Sequence, residues 1–138
     1  RLQRAHHHEG FVYMDHQLPD GLHPDTLAVR QAVPRSIYGE NSEALYLTSS
    51  FVQPDAATAA RRFAGEEDGY TYSRTSNPTV TSFEQRLAAL EGTESAIGTS
   101  SGMSAILLMC LGVLKAGDHV VCSQSMFGST IKLIGGEL

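Results

Sequence analysis

Apolar residues in the second half of the chain recur at helical spacing, whereas those of the first half are scattered. From Asp15 to Asn41 the sequence is polar and broken by Pro19, Pro24 and Pro34, which predicts an extended arm with little core. "ALYLTSSFV", Ala44 to Val52, is rich in β-branched and aromatic residues and suits an extended or strand-like segment. Pro54-Asp55 then opens an Ala-rich helix, Ala56 to Ala64, which Gly65 ends. A polar loop follows, and Asn77-Pro78 has the form of an N-cap with proline in the first turn. Behind it Val80, Phe83, Leu87 and Leu90 share one helix face, and Gly92 is the natural stop. Gly102 to Leu114 is apolar nearly all round, as expected of a helix wedged between a sheet and another layer. "ESAIGT" before it and "DHVVCS" after it are strand candidates, joined through a turn at Lys115-Ala116-Gly117. Strand, helix and strand predict a βαβ unit and hence an α/β fold with a covered sheet.

Composition narrows the classes. The 138 residues are 41% hydrophobic, enough for a core, and carry a net charge of −5, unlike a general nucleic-acid binder. No run of 18 apolar residues suggests a membrane span, and the polar N-terminus lacks a secretory pattern, so a cytoplasmic protein is expected. Cys110 and Cys122 lie in apolar segments without C-x-x-C spacing and are expected to be buried free thiols. His6-His7-His8 lack further ligands, so residues 1–13 read as a leader or tag-like segment rather than a metal site, with Met14 as a natural start. The chain stops at "IKLIGGEL", after an apparent strand and loop, with no closing element. A sheet built from what precedes has too few strands, and a fragment is expected.

Three stretches could carry chemistry. Thr99-Ser100-Ser101-Gly102 stands at the mouth of the apolar helix, where unsatisfied N–H groups and a partial positive charge suit an anion. On the motif alone a plain serine N-cap is the commoner reading, and the spacing is neither that of a Walker loop nor G-x-G-x-x-G. In "YTYSRTSNP", Tyr72 and Arg74 lie at i and i+2 and project to one side of an extended loop. Phenol and guanidinium form a clamp for a phosphate or carboxylate, or else the arginine is merely solvated. In "QSMFGSTI", Phe127 follows a predicted strand, where it could stack on a planar ligand or simply fill a core.

Taken in order, "Y-S-R…NPT…FE-x-RLAALEG-x-E…S-SGMSAI…AGDHVV…FGST" resembles the N-terminal part of the Cys/Met-metabolism family of pyridoxal-phosphate enzymes. The resemblance runs from about Thr26 to the last residue, and several separated blocks agree in order and spacing. It implies a fold-type-I, aspartate-aminotransferase-like architecture: an arm over residues 14–53 and the start of the cofactor-binding large domain over 54–138. It assigns Ser101, Gly102 and Met103 to the phosphate of pyridoxal 5'-phosphate, with Gly102 and Met103 N–H as main donors. It brings Tyr72 and Arg74 to that phosphate from a neighbouring subunit, and the arm across a subunit interface. Phe127 stands where many members have a tyrosine stacked on the cofactor ring. Phenylalanine keeps the stacking without the hydroxyl.

"TLAVRQ", "EALYLTSSFV", "AARRFAGEE" and "MFGSTI" lean toward the sulfhydrylase branch. Its members exchange succinate on acyl-activated homoserine for sulfide and release homocysteine, as homo-oligomers built from catalytic dimers. Cystathionine γ-synthase or γ-lyase activity is the alternative within the family. A non-catalytic phosphate-binding or dimerisation module is the alternative outside it. Lys115 and Lys132 are the only lysines, and neither lies in the S-x-T-K-type context that holds the family's Schiff-base lysine. No catalytic residue is therefore assigned, and the chain corresponds to roughly the first third of such an enzyme. Its apolar helix, left uncovered, predicts association.

Overall fold

A computed structural model describes residues 6–8, 11–13, 18–33, 35–36 and 38–136. Met14 and Pro34 lie outside them, as does much of the tag-like segment. The chain divides into two compact units, residues 1–96 and 97–138.

In the first unit, β1 (His6–His8) and β2 (Phe11–Tyr13) pair antiparallel, His7 opposite Val12. Three helices follow: α1 (Pro24–Arg30), α2 (Ala56–Phe63) and α3 (Pro78–Glu91). The arm is thus not extended throughout. Pro24 sits in the first turn of α1, where its missing N–H costs nothing, and His23 Nδ1 accepts from Asp25 N–H at 3.3 Å. Helix α2 starts at Asp55, whose Oδ1 accepts from Thr58 N–H at 2.8 Å. Helix α3 starts at Asn77 and ends on Gly92, left-handed at φ 65°.

Helix α1 packs against α3, but α3 does not turn its apolar stripe inward. Val80, Phe83, Leu87 and Leu90 are exposed, while Ser82 and Ala88 are buried. Polar links to the arm select the covered face. Tyr46 N–H donates to Thr79 Oγ1 at 2.9 Å, Arg86 Nε to Gln31 O at 3.0 Å, and Arg86 Nη1 to Glu43 Oε1 at 2.9 Å.

The second unit holds α4 (Gly102–Val113) and α5 (Gly128–Gly136), packed together. Helix α4 forms as the pattern predicts, yet Cys110 is its one buried residue; Leu111 is 64% and Val113 70% exposed. The predicted strands at 94–99 and 118–123 have no ladder partner among the described residues and stay irregular. A strand exists only through hydrogen bonds to a neighbour, so pattern alone does not make one. The same lack of cover leaves Cys122 exposed, contrary to expectation, although both cysteines are free thiols. Helix α5 stands where the sequence is expected to stop without a closing element. Phe127 O accepts from Thr130 N–H at 2.9 Å and Ile131 N–H at 3.2 Å, closing its first turn. No helix among the described residues is long and apolar enough to cross a membrane.

Candidate functional site

Tyr72 is held by the arm. An isolated antiparallel bridge joins it to Ser50, with Phe51 N–H donating to Thr71 O at 3.1 Å and Ser73 N–H to Ser49 O at 2.9 Å. The chain then turns: Thr75 N–H and Ser76 N–H both donate to Tyr72 O, at 3.0 and 3.1 Å, and Thr75 Oγ1 joins them at 2.7 Å. Tyr72 and Arg74 therefore meet across a turn, not along the extended loop that i, i+2 spacing suggested. The guanidinium carbon of Arg74 lies 5.3 Å from the Tyr72 ring centroid, within cation–π range. Both side chains are exposed at an open cleft of about 430 Å³ shared with Ser50, Phe51, Phe63, Thr71 and Thr75.

The loop behind this pair is fastened by Gln53. Its Nε2 donates to Phe51 O at 2.9 Å and Tyr70 O at 3.0 Å, and its Oε1 accepts from Arg62 Nη1 at 2.9 Å. The Phe51 and Tyr70 rings lie 5.5 Å apart. Arg62 runs so close to Gly69 that a Cβ there would have to displace its guanidinium group. Arg61 and Arg62 both pair with Glu67, at 2.8 and 3.2 Å. The Arg61 hydrogen bond, helped by both guanidinium charges, holds the Glu67 carboxyl below its ordinary value.

In the second unit, Ser101 caps α4 in an extended conformation, φ −159° and ψ 158°. Its Oγ accepts from Ser104 N–H at 3.1 Å and lies 2.9 Å from Ser104 Oγ, while Thr99 Oγ1 donates to Ser101 O at 2.9 Å. Ala105 N–H reaches Ser101 O at 3.1 Å. The cap thus satisfies the third and fourth N–H groups of the helix and leaves those of Gly102 and Met103 with no acceptor inside it. A Cβ at Gly102 would meet nothing within 4 Å, so an anion has room to approach. Cap and anion site are compatible, because they use different N–H groups.

Thr130, buried at 1% exposure, sets its hydroxyl 3.7 Å from Met103 Sδ. This seats the first turn of α5, which Phe127 precedes, against the start of α4. Phe127 is 71% exposed and not a core residue of this unit. Lys115 and Lys132 are exposed, and the Lys115 N–H closes a turn by donating to Asp118 Oδ2 at 2.8 Å. The structure therefore joins Tyr72 to Arg74 in one unit, and Ser101, Gly102 and Met103 to the start of α5 in the other.

Sequence reasoning passed over Ser73, Ser104 and the reach of Asn77. Ser101-x-x-Ser104 and Ser73-x-x-x-Asn77 spacings were available as signals; the partners of Ser73 and Asn77 in the arm, Thr48 and Tyr46, lie more than 20 residues away in sequence and leave none.

Residues 25–137 match the family described as "Cys/Met metabolism PLP-dependent enzyme". The chain is 56% identical over 114 residues to O-succinylhomoserine sulfhydrylase of Pseudomonas aeruginosa, covering 83% of this chain and 28% of that protein. It is 45% identical over 109 residues to L-methionine gamma-lyase of Fusobacterium nucleatum, covering 79% of this chain and 28% of that protein. Among solved structures it resembles an O-acetylhomoserine (thiol)-lyase from Campylobacter jejuni bearing N'-pyridoxyl-lysine-5'-monophosphate. There the TM-score is 0.78 at 32% identity, covering 85% of this chain and 29% of that one. The chain thus spans under a third of the length of the relatives it matches.

Proposed function

Since the chain belongs to the Cys/Met-metabolism family of pyridoxal-phosphate-dependent enzymes, we propose that it forms the N-terminal, cofactor-holding part of an O-succinylhomoserine sulfhydrylase. The observation that carries this reading is the first turn of α4. Ser101 Oγ is engaged with Ser104, two backbone N–H groups stay open, and the space beside Gly102 is free. Those features fit a phosphate monoester.

When bound, pyridoxal phosphate supplies the electron sink for replacing succinate at the γ-carbon of homoserine by sulfide. Gly102 and Met103 N–H hold its phosphate at the positive end of α4. Arg74 adds charge and Tyr72 a phenol donor, reaching the phosphate of a neighbouring subunit in a dimer of catalytic dimers. The Phe127 ring would stack on the cofactor ring and bring no proton of its own. Proton transfer belongs to residues other than these, and the enzyme works in the cytoplasm.

The sulfhydrylase is preferred to a γ-lyase because the identity to the former is 56% and to the latter 45%. Phe127 leans the same way. The test uses the full-length enzyme. O-Succinylhomoserine and sulfide together are expected to yield homocysteine, whereas release of a 2-oxo acid and ammonia without sulfide would make it a lyase. Gly102→Ala should weaken cofactor binding by about tenfold or more while leaving the thermal midpoint unchanged, since the added methyl meets only the anion's space. Unaltered cofactor affinity in both Gly102→Ala and Arg74→Ala would overturn the assignment of the phosphate site.

A further inference from the structure

Asn77 does more than start a helix. Its Oδ1 accepts from Thr79 N–H at 2.8 Å, which fixes the orientation of the amide, because that N–H can only donate. Its Nδ2 then faces Tyr46 O at 2.9 Å and Ser73 Oγ at 2.9 Å. Both donors and the acceptor are used, and the residue is 6% exposed. Capping alone does not demand an amide, since aspartate or serine would serve equally well. The two donors are what only asparagine adds here, and both leave the helix.

Ser73, one of their targets, lies between Tyr72 and Arg74. Its hydroxyl donates to Thr48 O of the arm and its N–H to Ser49 O at 2.9 Å. The residue between the two exposed groups is thus pinned from both sides, by the arm and by Asn77. We propose that Asn77 is a positioning residue for the phosphate clamp, setting the pose of Tyr72 and Arg74 through Ser73. The inference rests on the clamp reading given above and adds to it the residue that sets its geometry.

The experiment measures the dissociation constants of pyridoxal phosphate and of pyridoxal, which lacks the phosphate, on the full-length apoenzyme. Asn77→Asp keeps the cap and removes both donors; Ser73→Ala removes the link together with the hydroxyl's own bond to Thr48 O. Each is expected to weaken pyridoxal phosphate by tenfold or so and to leave pyridoxal unchanged, so that the ratio of the two constants collapses. The double variant should lose no more than the worse single one, as for groups acting in series. General damage to the fold would weaken both ligands alike, and that result would overturn the proposal. Arg74→Ala is the reference. If it lowers the ratio and Asn77→Asp does not, the positioning role fails while the clamp stands. If Arg74→Ala leaves the ratio intact, the clamp reading fails and the role of Asn77 falls with it.

Discussion

Asp55 shows how much one side chain settles. Its two oxygens take the Thr58 N–H at 2.8 Å and the Thr58 hydroxyl at 3.0 Å, and Arg61 Nη2 donates to that same hydroxyl at 3.0 Å. The Thr58 N–H is the chief reason the Asp55 carboxyl sits below its ordinary value. Asp55→Ala is expected to lower the thermal midpoint, and Asp55→Asn to lower it clearly less, because the amide oxygen still caps. Thermal unfolding of the two variants checks this, and equal losses would mean that charge rather than capping matters. At the same scale, Asp55 and Asn77 were legible as caps from their place before Ala- and Pro-led helices. The second role of Asn77 was not, since Tyr46, 31 residues away, and the arm that pins Ser73 are brought to it only by folding.

At the scale of elements, helix boundaries followed local rules. Gly92 ends α3 at φ 65° with open space around a would-be Cβ, so Gly92→Ala suffers conformational strain alone. A loss of about 1 kcal/mol in the free energy of unfolding, read as a lower thermal midpoint, is expected. No loss would show that the last turn of α3 can relax. Side-chain faces followed different rules. The stripe of Val80, Phe83, Leu87 and Leu90 predicted the covered side of α3, yet hydrogen bonds to Thr79 and from Arg86 draw the arm to another side. Helices α1 and α5 escaped the pattern for a related reason. Each is short, and each is fixed by a local cap or by packing, at His23 and at Thr130.

For the molecule as a whole, acid sensitivity follows from four carboxylates among the described residues held below their ordinary values, Glu40 by the Ser36 N–H and three more. Glu43 is lowered first by its hydrogen bond from Arg86, Asp55 by Thr58 N–H, and Glu67 by Arg61. The unfolded chain binds these protons at higher pH than the folded one. Their stabilisation is therefore complete above the ordinary values, 3.8 for Asp and 4.5 for Glu, and disappears as pH falls through the lower folded values. The midpoint of unfolding should be level near neutrality and drop on acidification below about pH 4.5, less steeply in Glu43→Gln and Glu67→Gln. Parallel acid curves for wild type and both variants would show that these pairs play no part.

The sequence alone determined what depends on near neighbours along the chain. That includes the helices opened by Asp55, Asn77 and Ser101, the stop at Gly92, and the ordered blocks that mark the family. Such features rest on backbone groups three or four residues apart, so local chemistry suffices. Tertiary structure decided which faces are covered, whether apolar runs become strands, and which loop meets which arm. Strand pairing at 94–99 and 118–123 needs a distant partner, and the links of Ser73 to Thr48 and of Asn77 to Tyr46 span 25 and 31 residues. Contacts at that separation leave no period in the sequence, because only the folded chain brings their atoms within hydrogen-bond range.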